Sequence, residues 1–84
     1  MNSKHKKTLE AVFATPTKTN IEFKAIEKLF VALGGTAIEG RGSRVSFAFG
    51  ENLASFHRPH PQKEAKPYQV DAAREFLERM GFKP

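Results

Sequence analysis

Apolar residues recur along this chain with two different periods, and the switch between them divides it into helices and strands. Between Lys4 and Ala14, Leu9, Val12 and Phe13 fall at helical spacing while lysines fill the other face, which predicts a first helix ending before Pro16. The stretch Thr15 to Asn20 is turn-forming. After it, Ile26, Leu29, Phe30 and Leu33 stand at i, i+3, i+4 and i+7 and define the apolar stripe of a second helix, closed by Gly34 and Gly35. From Thr36 the period becomes two. Val45, Phe47 and Phe49 alternate with Arg44, Ser46 and Ala48, Gly50 and Glu51 interrupt, and Leu53 to His57 resume the pattern. That is a β-hairpin, with Thr36 to Glu39 as a third strand. Phe56 to Lys66, rich in proline, predicts an ordered loop, and a last helix begins near Pro67 with Val70, Ala73, Leu77 and Met80 as its buried face and Gly81-Phe82 as its C-terminal cap.

The expected fold class is therefore α+β: a small three-stranded antiparallel sheet in the order α-α-β-β-β-α, with helices on one face and the other face free. Hairpin parity says what lies on the free face. With Gly50 and Glu51 as a two-residue turn of the type that takes glycine first, Phe49 pairs with Asn52, Ser46 with Ser55 and Arg44 with His57. Arg44, Ser46, Ser55 and His57 then share the open side, opposite the phenylalanines.

At 84 residues the chain is expected to form a single domain, residues 1–84. It has no cysteine, which removes disulfides and thiolate chemistry. Met1 to Lys7 are polar and basic with no apolar run behind them, so neither a secretory signal nor a membrane span is expected, and the expected location is the cytoplasm. The net charge of +5 favours a polyanionic partner, because cations that neutralise phosphates gain from counterion release. Between Gly40 and Lys63, Arg41, Arg44, Arg58 and Lys63 face the single acid Glu51, and two of the three histidines, His57 and His60, lie in the same stretch.

Three elements carry candidate chemistry: the turn Gly40-Arg41-Gly42-Ser43-Arg44, the strand after it, and the run His57-Arg58-Pro59-His60-Pro61. Cutting RNA by attack of its own 2′-hydroxyl needs a base, an acid for the leaving oxygen, and cations for the charge that builds on phosphorus. His57 and His60 are the candidate base and acid, with Ser43, Arg44, Arg58, Arg41 and Lys63 as the RNA-binding set. The bland alternatives are loop-ordering histidines and solvated arginines. A metal site on His57 and His60 lacks a third ligand beyond the lone carboxylate of Glu64, and no cofactor is expected.

A helix ending in Leu-Gly, a Gly-Ser pair leading into a strand, a hairpin, a His-Pro dipeptide and a closing helix ending in Gly-Phe together resemble the HicA family of toxins, over about residues 21–82, with the helix at about 4–14 as an addition. The resemblance implies a fold like that of double-stranded-RNA-binding domains and a metal-free ribonuclease acting on mRNA, held inactive by a HicB-like antitoxin. Family members usually place a catalytic histidine directly after Gly-Ser or one residue later, where this chain has Arg44 and Val45. Pro59-His60-Pro61 matches the family's His-Pro position and makes His60 the histidine that alignment supports. A non-catalytic RNA-binding module of the same fold, and a basic domain that meets only an acidic protein, stay open as alternatives.

Overall fold

A computed structural model describes residues 1–84. Its elements follow the expected order: α1 (Ser3–Phe13), α2 (Phe23–Ala32), β1 (Thr36–Glu39), β2 (Arg44–Phe49), β3 (Asn52–His57) and α3 (Pro67–Arg79). The three strands form one antiparallel sheet in the order β1-β2-β3. Helix α2 packs on β1 and α3 on β3, while α1 packs against both of these helices.

The expected hairpin pairing is present throughout: Phe49 faces Asn52, Val45 faces Phe56, and Arg44 faces His57. Gly50 takes φ +61° and no residue other than glycine has positive φ. A two-residue turn with positive φ at its first position alone is the glycine-first turn, and it sets the parity of both strands. A slip by one residue would have turned Ala54 and Phe56 outward and driven Ser55 and His57 beneath the helices.

The core is aromatic. Phe30 on α2 is fully buried, with ring centroids of Phe47, Phe49, Phe56 and Phe76 at 5.0–6.0 Å, the offset and edge geometries that such rings prefer. Around it lie Leu9 and Val12 from α1, Ile26 and Leu29 from α2, and Val70, Ala73 and Leu77 from α3. Phe13 and Met80, expected on buried faces, are half-buried against this cluster, and α3 buries Phe76 and Gln69 in addition to the expected residues.

Both helix ends that glycines were expected to close carry the paired bonds of a Schellman motif. Gly35 N–H reaches Phe30 O and Gly34 N–H reaches Val31 O after α2; Phe82 N–H reaches Leu77 O and Gly81 N–H reaches Glu78 O after α3. The loop after β3 is ordered by backbone bonds to the segment before α2, Phe23 N–H to Lys63 O at 2.9 Å and Ala65 N–H to Ile21 O at 2.7 Å. Gln69, buried in the first turn of α3, donates to His57 O at 2.7 Å and accepts from Lys66 N–H at 3.0 Å, so one amide fixes both the end of β3 and the start of α3.

Candidate functional site

The open face of the sheet is built in rows by the strand pairing. Ser46 and Ser55 oppose one another with their hydroxyls 2.7 Å apart, and Ile38 of β1 extends that row. The next row is Arg44 and His57, both exposed. Side chains directly opposite in an antiparallel pair have Cβ atoms about 5 Å apart, so the side chains of Arg44 and His57 leave the backbone side by side on a face that no helix covers. A Cβ on Gly40 would lie only 3.1–3.3 Å from Arg44 Cβ, Cγ and Cδ. The absence of a side chain there therefore lets the stem of Arg44 lie flat over the turn. Within that turn Gly40 N–H donates to Arg44 O at 2.9 Å and Arg44 N–H to Arg41 O at 3.1 Å, which orders the Arg41–Ser43 backbone while leaving both side chains exposed.

Arg58 stands apart from this group. Its N–H extends the hairpin by one bond to Ser43 O, 2.8 Å, but strand parity turns its side chain to the helix side. There the guanidinium meets Glu27 of α2 (Nε–Oε2 2.9 Å, Nη2–Oε1 3.1 Å) and Glu39 of β1 (Nη1–Oε1 2.7 Å, Nη2–Oε2 2.8 Å). The hydrogen bonds that Arg58 donates to Glu39 and then to Glu27 raise it above the usual guanidinium range, and the bond from Arg58 holds Glu39 below the usual carboxylate value. Two carboxylates share one cation, so the charge of Arg58 is committed within the fold. Arg58, expected in one RNA-binding set with Arg44, thus points to the side of the sheet away from Arg44 and His57.

His60 lies three residues past His57 and is exposed. Chain geometry limits their Cα separation to about 11 Å. Its neighbours Pro59 and Pro61 line an open groove of about 550 Å³ together with Arg58, Lys63, Lys24 and Glu22, whereas His60 is not one of its walls. Lys63 is exposed on the same loop. The structure thus pairs Arg44 and His57 across the hairpin, places Arg41 and Ser43 at the adjoining turn, carries His60 on the loop after β3, and sets Lys63 with Arg58 in the groove beside the start of α2.

The model of a family described as the HicA toxin of bacterial toxin-antitoxin matches residues 23–82. The chain belongs to the HicA toxin family. The match starts at the first residue of α2 and ends beyond the cap of α3, so α1 lies outside it. No curated protein and no solved structure matches the chain. Membership in the HicA family makes it a toxin of a toxin-antitoxin pair, and no helix in it is long and apolar enough to cross a membrane.

Sequence reasoning missed Glu27 and Glu39. The signal was available in the parity, since Glu39 pairs with Val45 and so shares the face of Val45 and Phe56, on which Arg58 also falls. Gln69 was missed as well, although glutamine at the third position of a helix that begins with proline is a capping signal.

Proposed function

We propose that this HicA-family toxin binds mRNA on the open face of its sheet and cuts it by in-line attack of the 2′-hydroxyl, and that a HicB-like antitoxin inhibits it by covering that face. The observation that carries this reading is the juxtaposition of Arg44 and His57 as direct strand partners on an uncovered surface. Arg44 occupies the position where the family usually has its histidine, and the residue facing it across the hairpin is itself a histidine. The imidazole is displaced by one cross-strand step, about 5 Å, and keeps a cation beside it.

In this scheme one imidazole removes the 2′-hydroxyl proton as the oxygen attacks phosphorus, and the other delivers a proton to the departing 5′-oxygen. The products are a 2′,3′-cyclic phosphate and a free 5′-hydroxyl. Arg44 faces the charge that accumulates on the phosphoryl oxygens, and Arg41, Ser43 and Lys63 hold the neighbouring backbone. His60, flanked by two prolines that restrict its backbone, is the pre-organised partner of His57.

The test is incubation of purified protein with RNA in the presence of a chelator. Fragments ending in cyclic phosphate are expected, with His57→Ala and His60→Ala each slowing cleavage by about a hundredfold to ten-thousandfold while remaining folded. If RNA stays intact under these conditions while binding persists, the protein is a non-catalytic RNA-binding module. Expression without the antitoxin should arrest growth.

A further inference from the structure

A second basic surface lies away from the sheet, where α1 meets the start of α2. An open groove of about 480 Å³ runs between them, and its charged walls are Lys4, Lys7, Lys18, Lys24 and Lys28 against the single carboxylate of Glu22. None of these lysines takes part in an ion pair; the three ion pairs of the fold all use arginine. Lys4 and Lys7 stand one turn apart on α1, and Lys24 and Lys28 one turn apart on α2, so the two helices present facing rows of ammonium groups. Glu22 and Lys24 also line the groove beside Pro59, Pro61 and Lys63. The basic groove is therefore continuous with the loop that carries His60.

We infer that this groove is a path for the phosphodiester backbone of RNA, leading a strand from α1 across the start of α2 toward the His60 loop. The inference rests on the proposed RNA-directed function. Its own basis is the chemistry of the walls. The apolar lining is Ala11, Ile21 and Ala25, and since Ile21 is buried in the core it offers no aromatic or exposed large aliphatic anchor. Protein interfaces are built on such anchors and are depleted in lysine. Lysine is a compact, flexible point charge suited to phosphate at any sequence, and it lacks the planar fork that arginine uses for fixed pairing. A row of unpaired lysines is thus suited to backbone contacts and poorly suited to a dry protein contact. The α1 wall of this path, Lys4 and Lys7, stands outside the matched family region, while Lys24 and Lys28 lie within it.

The test is RNA affinity as a function of salt. The probe is a mixed-sequence single-stranded oligoribonucleotide with 2′-O-methyl groups, which cannot be cut by 2′-hydroxyl attack. Single-stranded binding loses about 0.7 in the slope of log affinity against log salt for each phosphate contact. The full-length variant Lys4→Gln/Lys7→Gln/Lys24→Gln/Lys28→Gln is expected to flatten that slope by about 2.8. Between 50 and 200 mM salt the parent's affinity should then fall about 50-fold further than the variant's. Lys6→Gln/Lys83→Gln, which changes two lysines outside the groove, should match the parent. Thermal melting establishes that each variant is folded. Parent and groove variant with the same slope, while Arg44→Gln weakens binding, would overturn the groove and keep the proposed function. A groove variant that keeps the parental slope but loses its complex with the antitoxin would assign the surface to a protein partner instead. No RNA binding by the parent would overturn both readings.

Discussion

Replacing Arg58 should cost stability before it costs RNA binding. The residue lies in the stretch Gly40 to Lys63, where four cations stand against one acid, yet four hydrogen bonds tie its guanidinium to Glu27 and Glu39. Glu27 is mostly buried, with its side chain 20% exposed, and Arg58 is 34% exposed. A bidentate pair in such a position exceeds an ordinary surface ion pair, worth about 0.2–1 kcal/mol, but solvent reaches enough of the guanidinium to hold it well short of a buried pair. Loss of the Arg58–Glu27 contact is therefore set at about 1–2 kcal/mol. Arg58→Ala also leaves Glu27 and Glu39 facing one another without a cation, which adds to that loss. For a domain of this size each kcal/mol moves the melting temperature by about 4–8 °C, so Arg58→Ala should melt roughly 5–15 °C below the parent. The decisive measurement is a thermal double-mutant cycle with Arg58→Ala and Glu27→Gln, in which the paired variant loses less than the sum of the singles. RNA affinity measured below the melting transition should change little, whereas Arg44→Ala should melt like the parent and lose affinity. An Arg58→Ala protein with unchanged melting and strongly weakened RNA binding would refute the reasoning and return Arg58 to the RNA-contacting set.

Gly40→Val should lower the melting temperature, because its Cβ would stand 3.1 Å from Arg44 Cβ and Cγ and the backbone-fixed Cβ cannot swing away; displacing the rest of that side chain should slow RNA cleavage by up to about a hundredfold. Gln69→Leu removes the donor to His57 O and the acceptor for Lys66 N–H in a buried position, an expected loss of about 1–3 kcal/mol in urea unfolding. Asp71 is held below the usual carboxylate range first by the Thr17 hydroxyl and then by Arg74, and Glu39 by Arg58. Since both folded values lie under the unfolded ones, their stabilisation is complete above about pH 4–5 and lost as pH falls through the folded values. The urea midpoint should fall on that acid limb, and Asp71→Asn should lower the neutral midpoint and flatten the limb; an unaltered limb would show that other carboxylates govern acid unfolding. Phe30→Ala, at the hub of four rings, should cost about 3–5 kcal/mol, a large share of the stability of so short a chain, and a melting scan should show the cooperative transition lost.

The fold was legible because its determinants are local. A 3.6-residue period sets each helix face, Gly50 sets the hairpin parity, and glycines end α2 and α3; none of these requires knowing which element packs on which. The same locality made Arg44 and His57 readable as partners, since counting back from one turn places them opposite each other. Phe76 and Gln69 were harder. Gln69 is buried against the end of β3, where it reaches His57 O, and Phe76 against Phe30 of α2 and Phe49 of β2, packing directions that the periodicity of α3 does not specify by itself.

Charge was legible in amount and misread in place. Counting Arg41, Arg44, Arg58 and Lys63 against Glu51 weighs each cation by its neighbours in sequence, but a field in the folded state is weighed by neighbours in space. Glu27 and Glu39 arrive from α2 and β1 to neutralise Arg58, and Asp71 does the same for Arg74. Lysines from α1, the following turn and α2, scattered through the sequence with acids between them, converge on one groove. Arg58 and Arg74 are held in fixed pairs and Arg44 stands on the sheet face, while unpaired lysine makes the long-range field. An antitoxin that covers Arg44 and His57 thus leaves the lysine groove uncovered unless it also reaches α1, and residual RNA binding by the inhibited complex, lost in the four-lysine variant, would measure how far that cover extends.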